Sequence, residues 1–212
     1  SLHFFDSKKI LVVVAHPDDE LLGLGGTLHK CSKEKNSKIR TLILSKGITS
    51  RSEKNYREKI AKHLKNVDKA SKILGIDKTI VSDFPDNRFD SIDLLDVVKV
   101  IENEINKFQP DIVLTHHEND LNIDHRITFK ATLTASRPLP GKNPIQILTF
   151  ETPSSTEWQS SETYNSFVPN FFFEIHSQNL KAKQAAMNCY TSERRSYPHP
   201  RSAKVLEVIS RR

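Results

Sequence analysis

The chain has 212 residues, of which 36% are hydrophobic and 27% charged, with a formal net charge of +6. That length suits one sizeable domain with a real core under a charged surface. No apolar run approaches the ~20 residues that span a bilayer, so no transmembrane segment is expected. The elements follow in chain order. Lys9–Ala15 reads as a buried strand, with the apolar, β-branched run Ile10-Leu11-Val12-Val13-Val14. Glu20–Glu34 reads as a helix, Ile39–Leu44 as a strand, and Tyr56–Leu74 as a helix stopped by Gly75. Thr79–Ser82 is a third strand, and Ser91–Phe108 a helix ended by Pro110. Ile112–Thr115, Asp124–Ala135, Ile145–Phe150 and Gln178–Tyr190 continue the alternation as strand, helix, strand and helix. This rhythm argues for an α/β fold in a single domain, residues 1–212. Pro138–Pro169 is richer in Pro, Ser and Thr and reads as irregular structure or a flap.

Cys31 and Cys189 fit no zinc-knuckle or redox spacing, so they are expected as reduced thiols. The segment Ser1 to Asp6 lacks the basic and apolar regions of a signal peptide, and a cytoplasmic location is expected. Basic residues cluster between Arg51 and Lys72 and again from Arg194 to Arg212, but aromatics are not interleaved as a nucleic-acid site requires. The first cluster is either a solvated helix face or a field that attracts a phosphorylated substrate. Gly23, Gly25 and Gly26 fall one turn inside a helix, too late for a dinucleotide fingerprint, and are expected to permit close helix–sheet packing.

The chemistry concentrates at two strand ends. Directly after the first strand come Ala15-His16-Pro17-Asp18-Asp19-Glu20, one imidazole and three carboxylates within five residues. Adjacent unpaired carboxylates repel and resist desolvation, and a divalent metal resolves that conflict. A second cluster, Thr115-His116-His117-Glu118-Asn119-Asp120-Leu121-Asn122-Ile123-Asp124-His125, follows the fourth strand. In an open parallel sheet the first and fourth strands often flank the topological switch point, so both clusters can meet in one crevice. His16 and Asp19 can grip one ion, and His125 best completes a His-Asp-His set. Three nitrogen and oxygen ligands with an open position describe a catalytic rather than a structural zinc site. Asp18, beside a ligand, is the natural general base.

These residues resemble the LmbE-like family, which includes N-acetylglucosaminyl-phosphatidylinositol de-N-acetylase (PIG-L). The resemblance rests on His16-Pro17-Asp18-Asp19-Glu20, Gly25-Gly26-Thr27-Leu28 and Asp120-x-Asn122-x-Asp124-His125. It extends to Leu74-Gly75, Lys181-x-x-x-Ala185 and Tyr190-x-Ser192. It implies a Rossmann-like fold, a mostly parallel sheet flanked by helices, without a nucleotide cofactor. It also implies one Zn2+ per chain, or another divalent ion, held by His16, Asp19 and His125, with Asp18 as base. Asn122 departs from the pattern, because many relatives carry histidine there. Its amide can donate to an oxyanion but cannot shuttle a proton. His116 is an alternative donor or an orienter of a ligand. Asp124 either orients a ligand or caps the following helix.

Arg51 matches a position where relatives often contact substrate, with an exposed loop charge as the plain alternative. Asp86, Asn87 and Arg88 lie at the same sheet end and are candidate sugar-hydroxyl contacts, or a polar turn. Tyr197-Pro198-His199-Pro200-Arg201-Ser202 either closes over the crevice or forms a structural clasp. The implied activity is removal of acetyl from an N-acetylamino sugar that is free, nucleotide-linked or lipid-linked. Another amide hydrolysis, or a metal- or sugar-binding relative without turnover, is the alternative. No nucleic-acid partner is expected, and the oligomeric state is left open.

Overall fold

The computed structural model describes residues 3–48, 55–160 and 166–211. Five strands form one sheet in the order β3-β2-β1-β4-β5. They are β1 (Lys9–Val14), β2 (Lys38–Ser45), β3 (Lys78–Phe84), β4 (Ile112–His116) and β5 (Gln146–Phe150), and every pairing is parallel. The helices are α1 (Asp19–Glu34), α2 (Tyr56–Leu74), α3 (Leu94–Phe108), α4 (Ile123–Ala135), α5 (Ser177–Met187) and α6 (Ala203–Ile209). Among the described residues, no helix is long and apolar enough to cross a membrane.

Because a strand alternates its faces, the run Ile10 to Val14 feeds two cores. Ile10, Val12 and Val14 pack with Leu21 and Leu28 of α1, Val67 and Leu74 of α2, Met187 of α5 and Leu206 of α6. Leu11, Val13 and Ala15 pack with Val97, Val98 and Ile101 of α3 and Ala131 and Ala135 of α4. Each Val, Leu, Ile or Met side chain among them, removed from water, contributes about 1.5–3 kcal/mol. Burial on both faces is what the unbroken apolar run encodes.

The predicted elements recur with small shifts. The third helix begins at Leu94, because Ile92 is extended and its side chain packs into the second core after a 3-10 turn at Phe89–Ser91. The last predicted helix ends at Met187, and α6 follows, capped by Ser202, whose Oγ accepts from Val205 N. Gly75 closes α2 in the left-handed conformation, its N–H donating to carbonyls of the last turn.

The α1 glycines do more than approach the sheet. A Cβ on Gly23 would lie 2.2 Å from the Phe150 ring, which is the expected sheet contact. At Gly25 and Gly26 the obstacles are instead Lys183 of α5 at 2.9 Å and Ile175 at 2.6 Å. Gly25 therefore serves the packing of α1 on α5, and Gly26 the close approach of the segment that leads into α5.

Candidate active site

The strand order reverses between β1 and β4, and both acidic and histidine clusters emerge there. After Val14 the chain turns through Pro17 into α1. Asp19 Oδ2 accepts from the His16 backbone N–H at 2.8 Å, which folds the turn so that both side chains face one point. His125, in the first turn of α4, arrives from the β4 side. One ligand atom each from His16, Asp19 and His125 lies within 4.8 Å of the others. Asp19 Oδ2 is 3.4 Å from His16 Nδ1 and 3.3 Å from His125 Nε2.

The opposite nitrogen of each imidazole meets a carboxylate. His16 Nε2 is 2.9 Å from Asp124 Oδ2, and His125 Nδ1 is 3.0 Å from Asp120 Oδ1. Asp124 also accepts from Phe89 N at 2.9 Å, and Asp120 from Asn122 N at 2.9 Å and from the hydroxyls of Ser155 and Thr156. Both orienting carboxylates are fully buried. This is the arrangement that fixes tautomer and ring angle in metal-binding histidines. Both ring nitrogens of His125 are buried without a hydrogen bond of good geometry, Nδ1 facing Asp120 Oδ1 and Nε2 facing Asp19 Oδ2, so the ring stands between two carboxylates with Nε2 on the side of His16 and Asp19. The donor set therefore fits a divalent metal.

Charge agrees with that fit. Burial works against the cations of His16 and His125, but Asp124 and Asp19 for the first, and Asp19 and Asp120 for the second, outweigh it. The pKa values rise to about 10 and about 9. Despite burial, the surrounding histidines hold Asp19 well below the carboxylate range. A pocket that stabilises positive charge so strongly favours a cation in place of those protons.

His116 is occupied elsewhere. Its Nε2 accepts from Ala15 N at 3.0 Å and its Nδ1 lies 3.1 Å from Thr152 Oγ1. Since Nε2 accepts, the ring proton is on Nδ1 and goes to Thr152. Burial and the nearby His125 push its pKa down to about 3, so the ring is neutral. It stacks flat on His125 with centroids 3.8 Å apart. It is a wall and an orienter, with no nitrogen left for an oxyanion.

Asp18 occupies the N-cap position of α1, yet its side chain caps nothing, and its φ is +92°. An aspartate at that position ordinarily accepts a helix N–H, worth about 1 kcal/mol. The left-handed backbone costs about 1–3 kcal/mol more. Its Oδ2 accepts instead from Arg201 Nη1 at 3.1 Å. Burial raises the Asp18 pKa and Arg201 opposes it, leaving it at about 7, the range suited to a general base near neutral pH.

The remaining sequence candidates divide. Asp86 Oδ1 lies 3.5 Å from His16 Nε2 and accepts from Ser45 at 3.3 Å. Asn87 is exposed at the rim and links Asp86 Oδ2 at 3.0 Å to Asn122 Nδ2 at 3.4 Å. Arg88 is exposed, just ahead of the 3-10 turn. Asn122 is the N-cap of α4, with Oδ1 accepting from Asp124 N at 2.8 Å. Arg51 lies outside the described residues. On α2 the side chains of Lys62, Lys65, Lys69 and Lys72 are exposed. At 1.5 Å rise per residue they lie about 9 to 24 Å from the helix start, and a Cβ on Gly47, in the loop after β2, would lie 3.4 Å from Nε2 of His63, beside the first of them. Three contributors carried no assigned role in the sequence reading: Asp120, the Ser155–Thr156 hydroxyl pair and Arg201. Asp120 stood inside the Asp120-x-Asn122-x-Asp124-His125 run, which was the available signal.

Comparison with known proteins agrees with this geometry. Residues 11–136 match the family model described as PIG-L, GlcNAc-PI de-N-acetylase. The chain is 30% identical over 190 residues to an uncharacterized deacetylase, YaiS, of Escherichia coli K12, covering 87% of this chain and 91% of that protein. It is 28% identical over 197 residues to the diacetylchitobiose deacetylase of Thermococcus kodakarensis, covering 90% and 72%. Among solved structures, GalB, the 4-carboxy-2-hydroxymuconate hydratase of Pseudomonas putida, superposes with a TM-score of 0.72 at 22% identity, covering 96% of this chain and 83% of that one. That likeness shows the fold alone, and one fold hosts more than one reaction. The family match spans more than half of the chain and includes every residue of the His16–Asp19–His125 cluster, so the chain belongs to the PIG-L family.

Proposed function

We propose that this protein is a zinc-dependent N-deacetylase that removes acetyl from an N-acetylamino sugar. The observation that carries the reading is a His16–Asp19–His125 cluster, each imidazole backed by a buried carboxylate, with Asp18 immediately beside it. His16 Nδ1, Asp19 Oδ2 and His125 Nε2 would hold one ion per chain. When bound, zinc or another divalent ion polarises the acetyl carbonyl and lowers the pKa of attacking water. Asp18 accepts the water's proton and returns it to the amide nitrogen as the C–N bond breaks, giving acetate and a free amine. Asn122 Nδ2, at the rim beside Asn87, is the candidate donor to the developing oxyanion, now that His116 is committed to Ala15 and Thr152. Asp86 and Asn87 would meet sugar hydroxyls. The relative that acts on diacetylchitobiose supports a small acetylated sugar. The exposed lysines of α2 fit a solvated helix face as well as a field for an anion, so they do not by themselves select a phosphorylated substrate.

The test is acetate release by zinc-loaded protein from a panel containing N-acetylglucosamine, diacetylchitobiose, and nucleotide- and lipid-linked N-acetyl sugars. Asp18→Asn is expected to keep one ion per chain and to lose about 10²–10⁴-fold in rate. Absence of acetate from every substrate, or loss of metal in Asp18→Asn, overturns the assignment.

A further inference from the structure

The segment between α5 and α6 reaches back across the molecule to the site. Tyr190 is fully buried, and its carbonyl accepts from Glu193 N and Arg194 N. His199 packs edge-on against Trp158 at 5.9 Å, and its Nδ1 accepts from Arg201 N at 3.1 Å. The next residue, Ser202, caps α6. Arg201 therefore projects from backbone held on both sides.

Its guanidinium makes three bonds. Nε donates to Ser154 Oγ at 2.7 Å, and Nη1 to Glu193 Oε2 at 2.9 Å and Asp18 Oδ2 at 3.1 Å. Among the described residues, Arg201 is the one side chain that hydrogen-bonds the Asp18 carboxylate. Ser154 belongs to the loop whose next residues, Ser155 and Thr156, hold Asp120 behind His125. One short loop thus braces both the arginine that grips Asp18 and the carboxylate that aims a candidate metal ligand.

We propose that Arg201 is a positioning residue: it holds Asp18 Oδ2, turns the carboxylate away from the α1 N-terminus, and leaves Oδ1 to take the reacting proton. A surface clasp needs neither part of this arrangement. A carboxylate at an N-cap position relaxes onto the helix N–H groups unless another donor holds it off. A fixed guanidinium fork, itself anchored by Ser154 and Glu193, supplies that donor with defined direction. The kinetic part of the inference rests on the deacetylase reading, whereas the structural part does not.

The experiment compares wild type, Arg201→Ala, Arg201→Gln and Arg201→Lys, each zinc-loaded and checked for metal content and melting. Displacing a reacting group by about 1 Å costs about 10²-fold, so kcat is expected to fall about that much in Arg201→Ala. KM is expected to stay within about twofold. Arg201→Lys is expected to recover part of kcat, since an ammonium can hold Oδ2 without the three-point grip. Arg201→Gln serves if the alanine variant does not fold. Crystal structures of wild type and variant form the second readout, with Asp18 expected to swing toward the α1 backbone when Arg201 is lost. An Asp18 carboxylate that stays in place overturns the proposal at any rate, and so does a raised KM at unchanged kcat. If wild type releases no acetate from any substrate, the deacetylase reading falls, while the position of Asp18 still decides the role of Arg201.

Discussion

Replacing Asp120 offers a graded measure of how firmly the candidate metal site is built from behind. Asp120 Oδ1 lies 3.0 Å from His125 Nδ1 and accepts from Asn122 N at 2.9 Å, while Thr156 Oγ1 donates to Oδ2 at 2.6 Å and Ser155 Oγ to Oδ1. Burial raises its pKa, but His125, Ser155 and Thr156 prevail and bring it down to about 2, so it is a carboxylate throughout the working range. Asp120→Asn keeps one acceptor of the same shape and removes the charge. Asp120→Ala removes every acceptor and strands the His125 Nδ1 group, the part-buried Asn122 N–H and two buried hydroxyls. Each unsatisfied buried group costs about 1–3 kcal/mol. Hydroxyls can rotate toward new acceptors, so a total near the cost of one such group, about 3 kcal/mol, is expected. Loss of a carboxylate behind a metal-binding histidine weakens metal about 10–100-fold, or about 1.4–2.7 kcal/mol. Zinc affinity, measured by competition with a chromophoric chelator, is expected to fall about tenfold in the asparagine variant and about a hundredfold in the alanine variant. Zinc bound by Asp120→Ala as tightly as by wild type refutes the reasoning, because His125 would then need no orientation.

Two further substitutions probe neighbouring features. Asn122→Asp preserves the cap on α4 and removes the amide donor. Its melting temperature is expected to match wild type while kcat falls about 10²–10³-fold, and unchanged kcat would leave Asn122 as a cap alone. Lys183 is buried against Gly25, and burial, only partly offset by Glu151, lowers its pKa from 10.5 to about 8. At about 1.4 kcal/mol per pH unit, that lowering corresponds to about 3 kcal/mol of destabilisation at pH 7. Between about pH 8 and 10.5 the unfolded lysine keeps a proton that the folded one has released, so wild-type stability rises with pH. Lys183→Met is expected to be more stable by about 3 kcal/mol at pH 7 in urea unfolding, with the advantage shrinking across that window. A constant difference between the two proteins from pH 7 to 10.5 would show that the lysine charge is not what strains the site.

Much of this was legible from the residues in order. The unbroken run Ile10 to Val14 announces a strand buried on both faces, and the switch to helical periodicity after each strand announces the parallel α/β sheet. His16 and Asp19 were readable as a pair because a three-residue spacing within one turn fixes their proximity locally. His125 was readable as their partner only through the rule that strand ends meet at a switch point. The assignment of Asp124 shows the limit. It stands beside His125 in sequence, but its carboxylate meets His16, 108 positions away, while His125 is held by Asp120. Helix geometry turns adjacent residues about 100° apart, so sequence neighbours in α4 face different partners. His116, equally eligible as a string of letters, is withdrawn from the chemistry by Ala15 N and Thr152.

The amino-acid sequence by itself determined the strands, the helices before α6, the candidate ligand types and the place where chemistry could occur, because periodicity and short spacings act over a few residues. Only the tertiary structure decided which carboxylate holds which imidazole and which cation reaches Asp18. Those partners are brought together by strand order and by the return of the chain after α5, and hydrophobic patterning is satisfied equally well by many such returns. Arg201, 183 residues from Asp18, is the extreme case: the prolines around His199 mark its segment, but its partner and its role exist only once the fold has closed.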